Sequence, residues 1–445
     1  MTWLGEHAPQ AHWASREQRA RVFENAFVIV AAAIAYALTL ALNALAARIL
    51  PQVAYGEFSS AVAMVTLTCT FATLGLEKYA LRLLPEYLHT DRAHKAKGYV
   101  IFGVAVSVAV GIAVALGGFH LYKHFKPHAE GVEVLGRLVR FVPSIALFLF
   151  LLEVATTFRS AIGSTLIYRM VLPGMTLAAM AVAPHWFTPF TANDAVAIYG
   201  YSWEAALGVM ALYVFVVAPR SLREARVSME PRLWLVEGME FLGMSLLMTV
   251  FSQSAILILE VFRGDRVGVA HLSACMQIAG LAIILQTATM RIFGPQLSRM
   301  IAQGDSKAQM RLARRRMLLM SVLGGAFLGT IILFGHSLLE LFGPDYTDAY
   351  PTLVVLAVGN VLNIVFGGSA TYLQFHGLHR TALGIATVGT LLALVAVTIG
   401  ALLGDYATVA KAYVAVLIAM YAAFEITARV HLARAIRRSA TSTRS

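Results

Sequence analysis

At positions 99–119 the chain reads YVIFGVAVSVAVGIAVALGGF, in which Ser107 is the one polar residue after the opening tyrosine. At 1.5 Å of rise per residue such a run, if helical, covers about 30 Å, the hydrocarbon thickness of a bilayer. Basic residues bracket it: Arg92, Lys95 and Lys97 before, Lys123 and Lys126 after. A long apolar run with charged ends is the signature of a helix that crosses a membrane. Working outward, eleven further windows of similar length appear. With the first they lie near 27–47, 58–76, 99–119, 138–158, 167–187, 197–217, 236–261, 267–290, 317–336, 350–373, 382–403 and 408–429. The windows at 58–76 and 167–187 are the weakest, the one rich in Thr and the other broken by Pro173.

The composition agrees. Of 445 residues 59% are hydrophobic and 13% charged, with a mean hydropathy of +0.72. Soluble domains average about 45–50% apolar and about 25% charged. An ordinary soluble enzyme and a disordered chain are both excluded. The two cysteines, Cys69 and Cys275, sit in apolar runs without metal-ligand spacing, so neither a disulfide framework nor a metal site is expected. The polar start at 1–24 leads into a first apolar run too long for a cleaved signal, which reads as a retained helix.

The net charge of +11 raises nucleic-acid binding until the charges are placed. If the N-terminus is cytoplasmic, 27 of the 35 Lys and Arg fall on cytoplasmic segments and eight on the other side. That split follows the positive-inside rule and removes the case for nucleic acid. The expected organisation is a cytoplasmic segment at 1–24, six helices over 25–217, a basic linker at 218–235, six helices over 236–430 and a basic cytoplasmic tail at 431–445. Six helices per half is an even number, so any repeat is parallel. A weak echo joins Tyr55-Gly56-Glu57-Phe58-Ser59 to Val267-Gly268-Val269-Ala270. The link at 291–316 reads either as an amphipathic interfacial helix or as a solvated connector.

Polar residues inside the windows are unevenly spread. The first holds Tyr36, Thr39 and Asn43, with Arg48 at its outer end; the second Thr66, Thr68, Thr70 and Thr73. The seventh holds Thr249, Ser252, Gln253 and Ser254; the eighth His271, Ser273, Gln277, Gln286, Thr287 and Thr289. Windows one and two correspond to seven and eight in a repeat, so a central polar cavity between the halves is expected. Single Thr and Ser residues can bond to their own helix. Gln253 and Gln277 cannot satisfy themselves in this way and serve either a cavity or helix–helix contact. Beyond Glu237 and Glu240 at the start of the seventh window, the acids within windows are Glu153, Glu204, Glu260 and Glu425. The first three, with His271, are the candidates for ion coupling. Asn360, Asn363 and Gly367-Gly368-Ser369 read as a close helix contact. There is no P-loop, GxSxG or HExxH, so no catalytic residue and no cofactor are assigned. A sugar porter of the major facilitator type is disfavoured, since the link at 77–98 lacks its Asp-Arg-x-Gly-Arg signature.

Several short segments carry a family resemblance. Arg48-Ile49-Leu50-Pro51 with Tyr55-Gly56-Glu57-Phe58, then Leu74-Gly75-Leu76 and Leu81-Arg82-Leu83-Leu84-Pro85-Glu86-Tyr87, resemble the opening of the polysaccharide flippase branch of the multidrug/oligosaccharidyl-lipid/polysaccharide exporter superfamily. Pro295-Gln296-Leu297-Ser298-Arg299 with Gly304-Asp305, and Leu341-Phe342-Gly343-Pro344-Asp345-Tyr346, are similar to its later links. Ala255, where members often carry an acid, and Ala270, where an aromatic is expected, depart from the pattern. The resemblance implies an all-α polytopic membrane protein with about twelve transmembrane helices in two six-helix bundles set in a V. It implies export of a polyprenyl-pyrophosphate-linked oligosaccharide across a bacterial inner membrane, with both termini cytoplasmic. Arg48, Arg82, Arg140 and Arg159 are then the expected headgroup contacts, because Arg binds phosphate bidentately. Asn43, Gln253, Gln277 and Gln286 are the expected sugar contacts. The expected partners are the lipid-linked oligosaccharide, membrane lipids and a polysaccharide polymerase or glycosyltransferase. The rival functions are a drug/cation antiporter and a non-transporting scaffold for an envelope synthase.

Overall fold

The computed structural model describes residues 30–125, 132–158, 161–186 and 188–442. The segment 1–24 and Arg159 lie outside the described residues. Among the described residues there is no strand. Among the same residues ten helices are long and apolar enough to span a membrane, or twelve when two bent pairs each count as one span. They are α1 (Val30–Ile49), α2 (Gln52–Ala72 bent into Leu76–His89), α3 (Ala93–Phe125), α4 (Val132–Val139 bent into Val142–Phe158), α5 (Ile162–His185) and α6 (Ala192–Val217). After the short helix Arg220–Glu224 come α7 (Pro231–Arg263), α8 (Arg266–Gly280 continued by Ile283–Ala302), α9 (Ser306–Glu340), α10 (Tyr350–Phe366 continued by Gly368–Phe375), α11 (His379–Leu403) and α12 (Tyr406–Ser442).

Several helices leave most of their apolar surface uncovered, though 61% of the spanning window of α8 is buried. Only 17% of the spanning window of α9 is buried, and Leu318, Val322, Leu333 and Phe334 on it are all more than half exposed. In water such a face would be a large unfavourable patch; against lipid it is the expected outside of a span. The chain is an all-α polytopic membrane protein.

Both weak windows are irregular. In α2, Thr66, Thr68 and Thr70 each donate to the carbonyl four residues back. The helix then turns by 42° through Leu74 (φ +49°) and Gly75 (φ +72°). A side chain at 75 is ruled out twice, because a Cβ there would lie 2.2 Å from the Gly238 carbonyl oxygen on α7. In α5, Pro173 has no N–H to give the carbonyl of Arg169. The helix absorbs this in a π-helical turn over Ile167–Val171, closed by the Leu172 N–H on the Ile167 carbonyl.

The helices of 30–217 pack mainly on each other, as do those of 231–442; the two sets meet where α2 lies along α7 and α8. One end of the bundle, the basic end, carries the turns at 90–92, 218–230, 303–305 and 376–378. The far end carries those at 50–51, 264–265 and 341–349. The echo segments Tyr55–Ser59 and Val267–Ala270 both open helices at the far end. They touch there, where a Cβ on Gly56 would lie 2.0 Å from the Arg266 carbonyl oxygen. Gly56→Ala is therefore expected to force this crossing apart at a cost of about 1–3 kcal/mol, measured as a lower melting temperature in detergent. Gly243→Ala, with nothing within 4 Å of its Cβ, is the neutral control. Equal melting of the two variants would contradict the packing.

Two links at the basic end are tied down. Residues 218–230 are held to the start of α3: Ser228 N–H donates to the His94 carbonyl (3.1 Å), and Lys97 Nζ to those of Arg223 and Ala225 (2.7 and 2.9 Å). Lys95 Nζ lies 2.7 Å from Glu230, and this bond holds the Glu230 carboxyl below its usual range. The interfacial-helix reading of 291–316 is corrected. These residues are the ends of α8 and α9 joined by a tight turn at Gln303–Asp305, with Gly304 at φ +68° and the Asp305 carboxylate accepting from Ala308 N–H (2.8 Å).

Candidate functional site

A cavity of about 570 Å³ lies between the halves, lined from α1, α2, α5, α6, α7 and α8. The four helices singled out by their polar residues all contribute, and α5 and α6 join them. By helix rise its limit toward the far end, near Phe58, Tyr199 and Ser273, lies about 10 Å in from that end, and its limit toward the basic end, near Ile283, about 25 Å in. A second chamber of about 380 Å³ continues toward the basic end. It is lined by Thr70, Thr73, Glu77, Lys78, Glu153 and Thr249 among others. Tyr168 and Arg169 line both chambers and join them.

Arg169 is the one charged residue lining the central cavity among the described residues. Its guanidinium stands 5.6 Å from the centre of the Tyr36 ring, a cation–π contact across from α1. No carboxylate pairs with it among the described residues. The wall behind it is aromatic: Phe148, Tyr168, Tyr199 and Trp203 interlock with ring centres 5.2–6.2 Å apart. The Gln253 and Gln277 amides line the cavity, and neither bridges two helices. The Ser273 hydroxyl is buried with no partner. Asn43 is partly engaged, its Nδ2 donating to the Thr39 carbonyl (2.8 Å) and its Oδ1 accepting from the Tyr55 hydroxyl (3.5 Å).

The other sequence candidates lie elsewhere. Arg48 is at the far end, donating to the Glu340 and Leu341 carbonyls (both 2.8 Å) and so tying α1 to the opposite half. Arg82 is exposed on the basic-end arm of α2. Arg140 is exposed at the far end over the Phe141 ring (5.4 Å). Gln286 packs against Gly367 on α10. Glu153 lines the second chamber and is bonded to Lys78, beside the buried Glu77. Glu204 is exposed on α6 near Ser144 (3.4 Å). Glu260 shares Arg266 with Glu57: Arg266 Nη1 is 2.7 Å from Glu57 and its Nε 3.9 Å from Glu260, each side chain 13–15% exposed. His271 Nε2 contacts the Asp345 carbonyl (3.0 Å), its ring between Tyr346 and Tyr406.

These contacts clasp the halves at the far end. Arg48 bridges to α9, Glu57 to Arg266, and the Tyr55 ring meets Tyr346 edge-on at 6.2 Å. Along the α2–α7 seam the contact runs on to the basic end, through Thr70–Thr249 (3.3 Å), Gly75–Gly238 and the rings of Tyr79 and Phe241 (5.8 Å).

The same fold is found among solved structures. The inward-facing form of a multidrug resistance MATE family transporter of the MOP superfamily matches with a TM-score of 0.73 over 90% of this chain and 95% of its own, at 16% identity. This chain has the MATE transporter fold. An outward-facing MATE transporter matches less closely, with a TM-score of 0.61 over 92% of this chain and 96% of its own, at 14% identity. A MOP superfamily transporter from Pyrococcus furiosus, described by a reversed polarity of its binding pocket, matches with a TM-score of 0.58 at 13% identity over 92% and 96%. No family model and no curated protein matches the chain.

Two of the 27 charges assigned to cytoplasmic segments, Arg169 and Arg316, lie inside the bundle. A start at 167 for the fifth window leaves Arg169 among the loop charges. The helix starts earlier, which puts Arg169 about 10 Å inside α5. The signal was present: an Arg four residues before a proline, in a window already marked as broken. Irregular helix is tolerated at membrane depth where it lines a cavity.

Proposed function

We propose that this protein exports a lipid-linked, phosphate-bearing oligosaccharide across a bacterial inner membrane by alternating access. The observation that carries the reading is the lining of the central cavity: one arginine, aromatic rings and free amides, with no carboxylate. An arginine suits a pyrophosphate. Aromatic faces with adjacent amides and hydroxyls suit a sugar, which is apolar on its faces and hydroxylated at its rim. The excess of Lys and Arg at the basic end supports a cytoplasmic placement of that end and of both termini. With the far end clasped, the arrangement is then inward-facing, ready to load from the cytoplasmic leaflet.

Drug or cation antiport is the second reading. The named function of the multidrug neighbours favours it, as do Glu77 and Glu153 in the second chamber. The central cavity disfavours it, since a cationic drug would face Arg169 with no acid to meet it. The test is deletion of the gene, in a strain without a paralogue. The expected result is loss of surface polysaccharide with accumulation of the lipid-linked unit on the cytoplasmic side. Normal export, or drug sensitivity alone, overturns the proposal.

A further inference from the structure

A third cavity, also of about 380 Å³, lies within the C-terminal half near the basic end, between α8, α9, α10 and α12 and remote from the central one. Its lining is mostly apolar, with Phe293, Leu297, Met317 and Leu432 among the walls. Leu318 also lines it and is 61% exposed on the lipid-facing side of α9, so the cavity opens sideways toward the bilayer.

Its inner end is cationic. Arg316 is 8% exposed and its Nε has no hydrogen-bond partner. Its terminal nitrogens reach the Ile364 and Val365 carbonyls only at 3.3 and 3.5 Å, where the break in α10 leaves helix-end carbonyls to be capped. Gly368 makes room for it, since a Cβ there would lie 2.1 Å from Arg316 Nη1. Arg429 and Arg314 also line the cavity. The one acid present, Glu425, is already bonded to Ser369 and Arg429. Three arginines against one engaged carboxylate leave an excess of positive charge. A buried guanidinium with an idle N–H is costly unless an anion completes it.

We propose that this cavity binds an anionic phospholipid taken from the leaflet at the basic end. The phosphate meets Arg316 and Arg429, and an acyl chain lies along the apolar walls and leaves past Leu318. Charge, lining and a membrane-facing mouth agree on one amphiphile, and a soluble anion would leave the apolar volume unfilled. The site is separate from the transport cavity and does not depend on the substrate carried there.

The test uses the full chain purified in a neutral detergent and stripped of lipid. Phosphatidylglycerol, phosphatidylcholine and inorganic phosphate are titrated separately, with binding followed by native mass spectrometry and thermal melting. Phosphatidylglycerol is expected to bind saturably and raise the melting temperature, and Arg316→Met to weaken binding by about tenfold or more. Should Arg316→Met fail to fold, Ser321→Phe, which blocks the mouth and leaves the arginines in place, is expected to abolish binding of the lipid. Equal binding by phosphatidylcholine, equal stabilisation by inorganic phosphate, or undiminished binding in the variant that folds overturns the proposal.

Discussion

Replacing Arg169 with Gln is expected to lower export by about 10- to 100-fold at matched protein levels in the membrane. A hydrogen bond to a charged group contributes about 1.5–3 kcal/mol, and about 1.4 kcal/mol is a factor of ten. Arg169 is the one cation lining the central cavity among the described residues, so no neighbour there replaces it. It also joins the two chambers, so under the proposed function its loss affects both the resting place of the anion and its way in. Arg169→Lys is expected to be intermediate, keeping the charge but losing the planar fork. Surface polysaccharide measured by complementation in a deletion strain checks the series. Wild-type export by the Gln variant would remove Arg169 from the binding site and with it the main support for an anionic substrate.

The second large effect is expected at the far-end clasp. Arg266 serves both Glu57, from the opposite half, and Glu260, on its own half, and all three side chains are largely buried. Arg266→Ala leaves two carboxylates facing each other without their cation, which costs the closed arrangement about 2–5 kcal/mol. Two kcal/mol is already about a thirtyfold shift in a conformational equilibrium. Spin labels on either side of the far-end seam are expected to move from a short to a long distance distribution, with the basic end closing. Exchanging the charges, Glu57→Arg with Arg266→Glu, is expected to restore only part of the clasp, because Glu260 then faces a like charge. An unchanged distance distribution in Arg266→Ala would show that the Arg48 and Tyr55–Tyr346 contacts suffice without the ion pair.

The twelve windows were legible because a bilayer imposes one rule on every span, an apolar outer surface about 30 Å long, and that rule is written residue by residue. The structure places a helix over each window, and α8, α9 and α12 run on past theirs by more than two turns at the basic end. Even the two weak windows were informative: the Thr-rich one turns at Leu74–Gly75, and the Pro-broken one carries a π-helical turn. The bend at Arg140–Phe141 in α4 carried the same kind of warning as α5, since Pro143 has no N–H to give the carbonyl of Val139. The polar enrichment of windows one, two, seven and eight also led to the cavity, and Asn43, Gln253 and Gln277 do line it.

The arginines were not legible in the same way. A side chain six or seven bonds long, on a helix whose start is uncertain by a turn, can lie in a loop, in a headgroup layer or inside the bundle. Arg48 and Arg140 fell at span ends in the sequence and lie at the far end, one clasping the halves and one exposed. Arg169 and Arg316 passed as loop charges and lie inside the bundle, one at the central cavity and one against α10. The sequence by itself determined the apolar spans, their order and four of the six helices that line the cavity, because those depend on local periodicity and on the solvent around each helix. Only the tertiary structure decided which charges face a cavity and which hold the halves together. Those roles depend on where the π-turn in α5 and the break in α10 point a side chain, and on which neighbours leave it room, as Gly56 does for the Arg266 carbonyl and Gly368 for the Arg316 guanidinium.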